Sequence, residues 1–249
     1  MHRCIKIVFV PLCLMFFATE VFSATPTKMY ELQSGIVEYD ISGGGSMMGI
    51  KTSTKGSKTL FFKDWGNINV MEEVKTVETN GKGKQEKSLA KFDNGTVYSV
   101  DAEEKVIIKM DMQDALNSMG QGKSSMTQAG RDMMQQMGGK KIGEENILGY
   151  PCEVWEFQWG KIWGHKGIPL KTQSTMMGIT HLEMAKKVQF GVTAPSSKFT
   201  LPSYPMRSMD EMMMQGFDKN SMNNTEDMTP QERKELQELM KNMGGIFGK

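Results

Sequence analysis

Cysteine nearly vanishes from this chain once the first 23 residues are set aside. Cys4 and Cys13 fall in that stretch, which leaves Cys152 alone. One cysteine excludes an internal disulfide, so stability must come from an ordinary core. Charge of one sign is missing too. Without residues 1–23, 28 basic residues face 28 acidic ones. That balance gives no general attraction to nucleic acid, and no nucleic-acid role is assigned. Histidine is scarce, with His165 and His181 alone beyond the leader. They lie sixteen residues apart, outside any zinc-type spacing, nucleophile elbow or phosphate loop. Gly43-Gly44-Gly45 lacks the lysine and the strand-then-helix frame of a nucleotide loop. The reading is a non-enzyme with no cofactor.

What is present begins with a leader. His2, Arg3 and Lys6 precede an apolar run from Ile7 to Ala18, and Val21-Phe22-Ser23 follows. This is the three-part pattern of a secretory signal peptide, with cleavage expected after Ser23. The apolar run is shorter than the roughly 20 residues of a membrane-spanning helix. Nothing later is apolar enough to span, so the mature chain is expected not to be transmembrane. The expected location is a bacterial periplasm.

From Ser34 to Met110 the text is strand-like. Segments rich in valine, isoleucine, threonine and aromatics follow one another, as in IVEYDI, TLFFK, TVYSV and KVIIK. No helical stretch separates them, which implies an antiparallel meander. Gly43-Gly44-Gly45 is read as a turn. Asn94-Gly95 is a strong hairpin signal. Residues 111–138 break the pattern. Met126, Ala129, Met133, Met134 and Met137 recur at helical spacing, with Gly138-Gly139 as a stop. Strands return at about 141, and Cys152–Trp159 alternates so that Trp155, Phe157 and Trp159 share one face. His165, beside a turn, is expected to be exposed. Ile179–Phe190, bracketed by Gly178 and Gly191, is read as a strand, and residues 194–202 as an extended closing edge. Cys152 is read as a small buried side chain. Near the C-terminus, Thr229-Pro230-Gln231-Glu232 has the cap, proline and acidic residue of a helix start.

Gly149-Tyr150-Pro151-Cys152, Trp163 with Lys166-Gly167-Ile168-Pro169-Leu170-Lys171, and Lys198-Phe199-Thr200-Leu201-Pro202 give residues 30–203 a resemblance. This segment resembles an exported bacterial domain family of unknown function, itself similar to the periplasmic lipoprotein carriers, LolA and its relatives. The resemblance implies an α+β fold: a strongly curved antiparallel sheet, an incomplete barrel, with short helices across its concave face. No short motif places the carriers' ligand-contact residues on this chain.

The expected division is a signal peptide at 1–23, a sheet domain at 30–203 with a helical insertion at about 111–138, and a methionine-rich linker and helix at 204–249. Methionine is the compositional outlier, 25 in all. Its flexible side chain suits adaptable apolar surfaces. The favoured function is therefore a non-catalytic carrier for a lipid or other apolar ligand. Met133, Met134, Met137, Trp155, Phe157 and Trp159 would line its pocket, or pack as plain core. Two alternatives stay open. Thioethers of Met206, Met209, Met212, Met213 and Met214 would suit Cu(I) or Ag(I). An envelope structural role with a protein partner would need neither ligand.

The leader carries a direct expectation. Intact-mass measurement of protein secreted by a bacterial host should give a chain of 226 residues beginning at Ala24. Recovery of the full 249-residue mass would overturn the cleavage reading.

Overall fold

The computed structural model describes residues 28–47, 49–112, 138–208 and 211. Alternating apolar and polar residues build strands here because the pleat sends neighbours to opposite faces. Six strands form a first meander: β1 (Gly35–Met47), β2 (Ile50–Lys63), β3 (Ile68–Thr79), β4 (Lys82–Asp93), β5 (Thr96–Asp101) and β6 (Val106–Asp111). Five form a second: β7 (Lys140–Ile147), β8 (Tyr150–Phe157), β9 (Gly160–His165), β10 (Ile168–Met176) and β11 (Ile179–Phe190). A short β12 (Met206–Ser208) adds to β6 in parallel. All belong to one sheet, ordered β12-β6-β5-β4-β3-β2-β1-β11-β10-β9-β8-β7. The two meanders meet where β1 pairs with β11.

This corrects the α+β expectation of a strongly curved, incomplete barrel. The architecture is an open, mostly antiparallel sheet with one parallel pair. Hydrogen bonding runs in linear order and leaves β12 and β7 as edges. Among the described residues lie two short 3-10 turns, Asp64–Gly66 and Ser196–Phe199. The latter replaces the extended closing edge expected there and seats Phe199 on the sheet beside Phe61 and Val70. The helices expected at about 111–138 and at the C-terminus fall outside the described residues. Met206, offered above as a thioether ligand in the methionine-rich linker, lies in β12.

Gly43-Gly44-Gly45 is not a turn. β1 runs straight through it to Met47. The glycines serve close strand approach: a Cβ on Gly45 would collide with the Gly178 carbonyl oxygen. Asn94-Gly95 does turn the chain between β4 and β5, with φ of 48° and 97°. Ile179–Phe190 is a strand, as its flanking glycines suggested.

The main core lies on one face. Val37 and Tyr39 of β1, Leu60 and Phe62 of β2, Val154 of β8, Trp163 of β9 and Leu170 of β10 are buried together. The preceding segment plugs into it, with the Tyr30 ring edge-on to Phe62 at 5.1 Å. Tyr30 N and Met29 N both donate to the Trp65 carbonyl.

One charged pair sits within this sheet. Lys58 of β2 and Glu183 of β11 form an ion pair, each side chain about 6% exposed. They flank Tyr39 and Ile41 of β1, whose register sets Lys58 opposite Tyr39 and Glu183 opposite Ile41. Removing one member of such a pair leaves a buried charge and costs on the order of 3–5 kcal/mol, while replacing both with apolar groups costs far less. Lys58→Met should therefore lower the urea-unfolding free energy more than Lys58→Met with Glu183→Leu. Equal or larger loss in the double variant would contradict this account.

Candidate functional site

β8 alternates so that Cys152 and Val154 enter the main core. Trp155 and Phe157, of the opposite parity, belong to a separate cluster. There Phe157 and Ile162 are buried, and Trp155 and Trp159 pack against them half-buried. The Phe157 and Trp159 rings stack at 4.9 Å with 19° between planes. Trp155 Nε1 donates to Glu153 Oε2 at 3.3 Å. Thr175 N donates to the Trp159 carbonyl at 2.7 Å, which fixes the β8–β9 turn against β10. Trp155, Phe157 and Trp159 are thus brought together. Met133, Met134 and Met137, expected to line the same pocket, lie outside the described residues. Of the methionines offered to a soft metal, Met206 is exposed on β12, and Met209, Met212, Met213 and Met214 lie outside the described residues.

A second cluster surrounds Glu183. Its Oε1 lies 3.3 Å from His181 Nε2, and its other oxygen meets Lys58. The Lys58 ammonium stands 4.7 Å from the Tyr39 ring centroid. Tyr39 in turn donates its hydroxyl to the Pro169 carbonyl at 2.9 Å. Burial lowers the His181 pKa below its ordinary value; Glu73 opposes that, and Lys58 and Lys75 add to it. Sequence reading missed Lys58 and Glu183, because their meeting across 125 positions depends on sheet order.

His165 departs from its expected exposure. It is buried, with Nδ1 2.7 Å from the Pro151 carbonyl and its ring stacked on Phe190 at 5.7 Å. Cys152 is fully buried, and loss of solvation pushes its thiol up to about 11. Glu145 acts in the same direction, and a backbone hydrogen bond at Ile147 against it. A thiol held protonated is a poor nucleophile at neutral pH. Among the described residues, no three His, Cys, Asp or Glu side chains are grouped to hold a metal ion. Nor is any described helix long and apolar enough to cross a membrane.

No family model matches this chain, and no curated protein matches it. Solved structures give distant likenesses. An uncharacterized conserved protein from Thermus thermophilus is 8% identical at a TM-score of 0.37, covering 69% of this chain and 90% of that one. A DUF1329 family protein from Desulfovibrio piger is 13% identical at 0.27, covering 68% and 90%. An outer membrane lipoprotein-sorting protein domain from Vibrio parahaemolyticus is 10% identical at 0.24, covering 68% and 89%. All three scores are too low to bear on what this chain does.

The Cys152 thiol makes stability depend on alkaline pH with a definite sign. Below about pH 9 the thiol is protonated in both folded and unfolded chains, and its contribution is whole. Between about 9 and about 11 the unfolded chain ionises while the folded one does not, so stability falls. Melting temperature followed over that window should drop less steeply in Cys152→Ala than in the parent. Identical slopes would mean that Cys152 does not titrate as described.

Proposed function

We propose that this chain is an exported, non-catalytic binding protein for an apolar ligand such as a lipid acyl chain. The observation that carries the reading is the cluster of Trp155, Phe157, Trp159 and Ile162. It is separate from the main core, and its two indoles are half-buried rather than enclosed. Large apolar rings left partly open to water at a fixed position offer area to a ligand at little ordering cost. In this reading Met133, Met134 and Met137, as residues of the same pocket, contribute adaptable thioether side chains. The leader at 1–23 supports placement in the periplasm. The protonated Cys152 thiol and the carboxylate of Glu183, engaged by Lys58 and His181, supply no activated group for catalysis.

The test is titration with a medium-chain fatty acid, followed by tryptophan emission. Binding should blue-shift and saturate the signal, and Trp155→Ala with Trp159→Ala should weaken affinity about tenfold or more. A parent protein that shows no saturable binding, or a double variant that binds equally well, sinks the carrier reading.

A further inference from the structure

Two hairpin turns of this sheet carry the same four residues. Met47-Met48-Gly49-Ile50 joins β1 to β2, and Met176-Met177-Gly178-Ile179 joins β10 to β11. In each, a methionine pairs with an isoleucine across a two-residue connection. Because β1 pairs with β11, the turns are neighbours, with Gly45 opposite Ile179. Gly45 has no side chain to obstruct Gly178, so the turns abut. The register sets Ile50, Met47, Ile179 and Met176 on one face, as an apolar row across four strands. The β8–β9 turn extends this end of the sheet, since Trp159 is held to Thr175.

Half of the row is open to water. Ile50 is 44% exposed and Met176 58%, Met47 and Ile179 are half-buried, and Met177 at the tip is 74% exposed. Met177 also has φ of 51°, followed by Gly178 at 80°. Two-residue turns with positive φ at both positions favour asparagine, aspartate or glycine, and an unbranched apolar residue there gains nothing for the backbone. Neither local geometry nor packing asks for methionine at this tip, yet the neighbouring turn repeats the same four residues.

Charge surrounds the row. Lys51 follows the first turn, and Lys82 opens β4 at the adjoining β3–β4 turn, which Lys51 N contacts through Asn80 Oδ1 at 3.1 Å. Lys51, Lys55 and Lys82 are exposed, and none forms a salt bridge with another described residue.

We propose that this end of the sheet docks on an anionic phospholipid bilayer surface. The Met176–Ile179 tip enters the headgroup–acyl boundary together with Met47 and Ile50 beside it, Trp159 sits at the interface, and the lysines meet headgroup phosphates. Separate protruding apolar tips need no matching groove, only a fluid surface that closes around them. Indole favours that boundary, and nearby lysines add attraction where the lipid is anionic. This goes beyond ligand binding: a carrier need not touch a bilayer, and a bilayer-docking protein need not carry anything.

Flotation with phosphatidylcholine vesicles, with and without phosphatidylglycerol, tests it. The parent should float with the anionic vesicles and be released by salt. Met177→Asn suits the turn better, so its melting temperature should hold or rise while vesicle binding falls about fivefold or more. Lys51→Gln with Lys82→Gln should remove the preference for phosphatidylglycerol. Failure of the parent to float, or equal flotation of Met177→Asn, would overturn the proposal. So would a concentration-dependent dimer abolished by Met177→Asn, which would assign the tips to a second copy. Met177→Asn keeps Trp155 and Phe157, so fatty-acid titration of the same variant separates failure here from failure of the carrier reading.

Discussion

β1 pairs on both sides, and the rest of the sheet depends on that. One side meets β2, its hairpin partner; the other meets β11, about 140 positions later. All other antiparallel pairs join strands adjacent in sequence. Without the β1–β11 seam the chain would be two separate meanders, each with an extra open edge. The seam sets Lys58 and Glu183 on either side of β1, aligns the two Met-Met-Gly-Ile turns, and completes the core around Val37, Tyr39 and Ala185. A register shift at Glu38/Tyr39 accommodates the extra residue Lys186, whose ammonium reaches Asp40 at 2.7 Å.

Local features are legible in the sequence, and long-range ones are not. The turn at Asn94-Gly95 and the strand at Ile179–Phe190 follow from residue preferences that act over a few positions. The alternation that groups Trp155, Phe157 and Trp159 is equally local. Gly43-Gly44-Gly45 misleads because glycine marks two different needs, a turn or a close backbone approach, and the second depends on which strand lies alongside. The openness of the sheet follows from pairing order, which no local pattern encodes. The short parallel addition of Met206–Ser208 to β6 is hidden for the same reason. Lys58 and Glu183 are ordinary charged residues in alternating strands until β1 comes between them.

The exposed edge at β7 shows how such a sheet avoids unwanted pairing. It carries Lys140, Lys141, Glu144 and Glu145, and it bulges at Ile142, where the register to β8 shifts. Charges and a bulge both oppose the addition of another strand. At the far side, β12 covers part of β6.

The seam also sets an order of events. A chain made from its N-terminus offers β1 long before β11 exists. The hairpins of the first half can form early, because their contacts are local. Through that interval β1 presents an unsatisfied edge with Val37, Tyr39 and Ile41 beside it. Any chain nearby can pair with such an edge. Synthesis therefore passes through a sticky half-sheet that is quenched only when residues 179–190 arrive. Premature truncation before that point would release a far more aggregation-prone species than loss of the C-terminal tail.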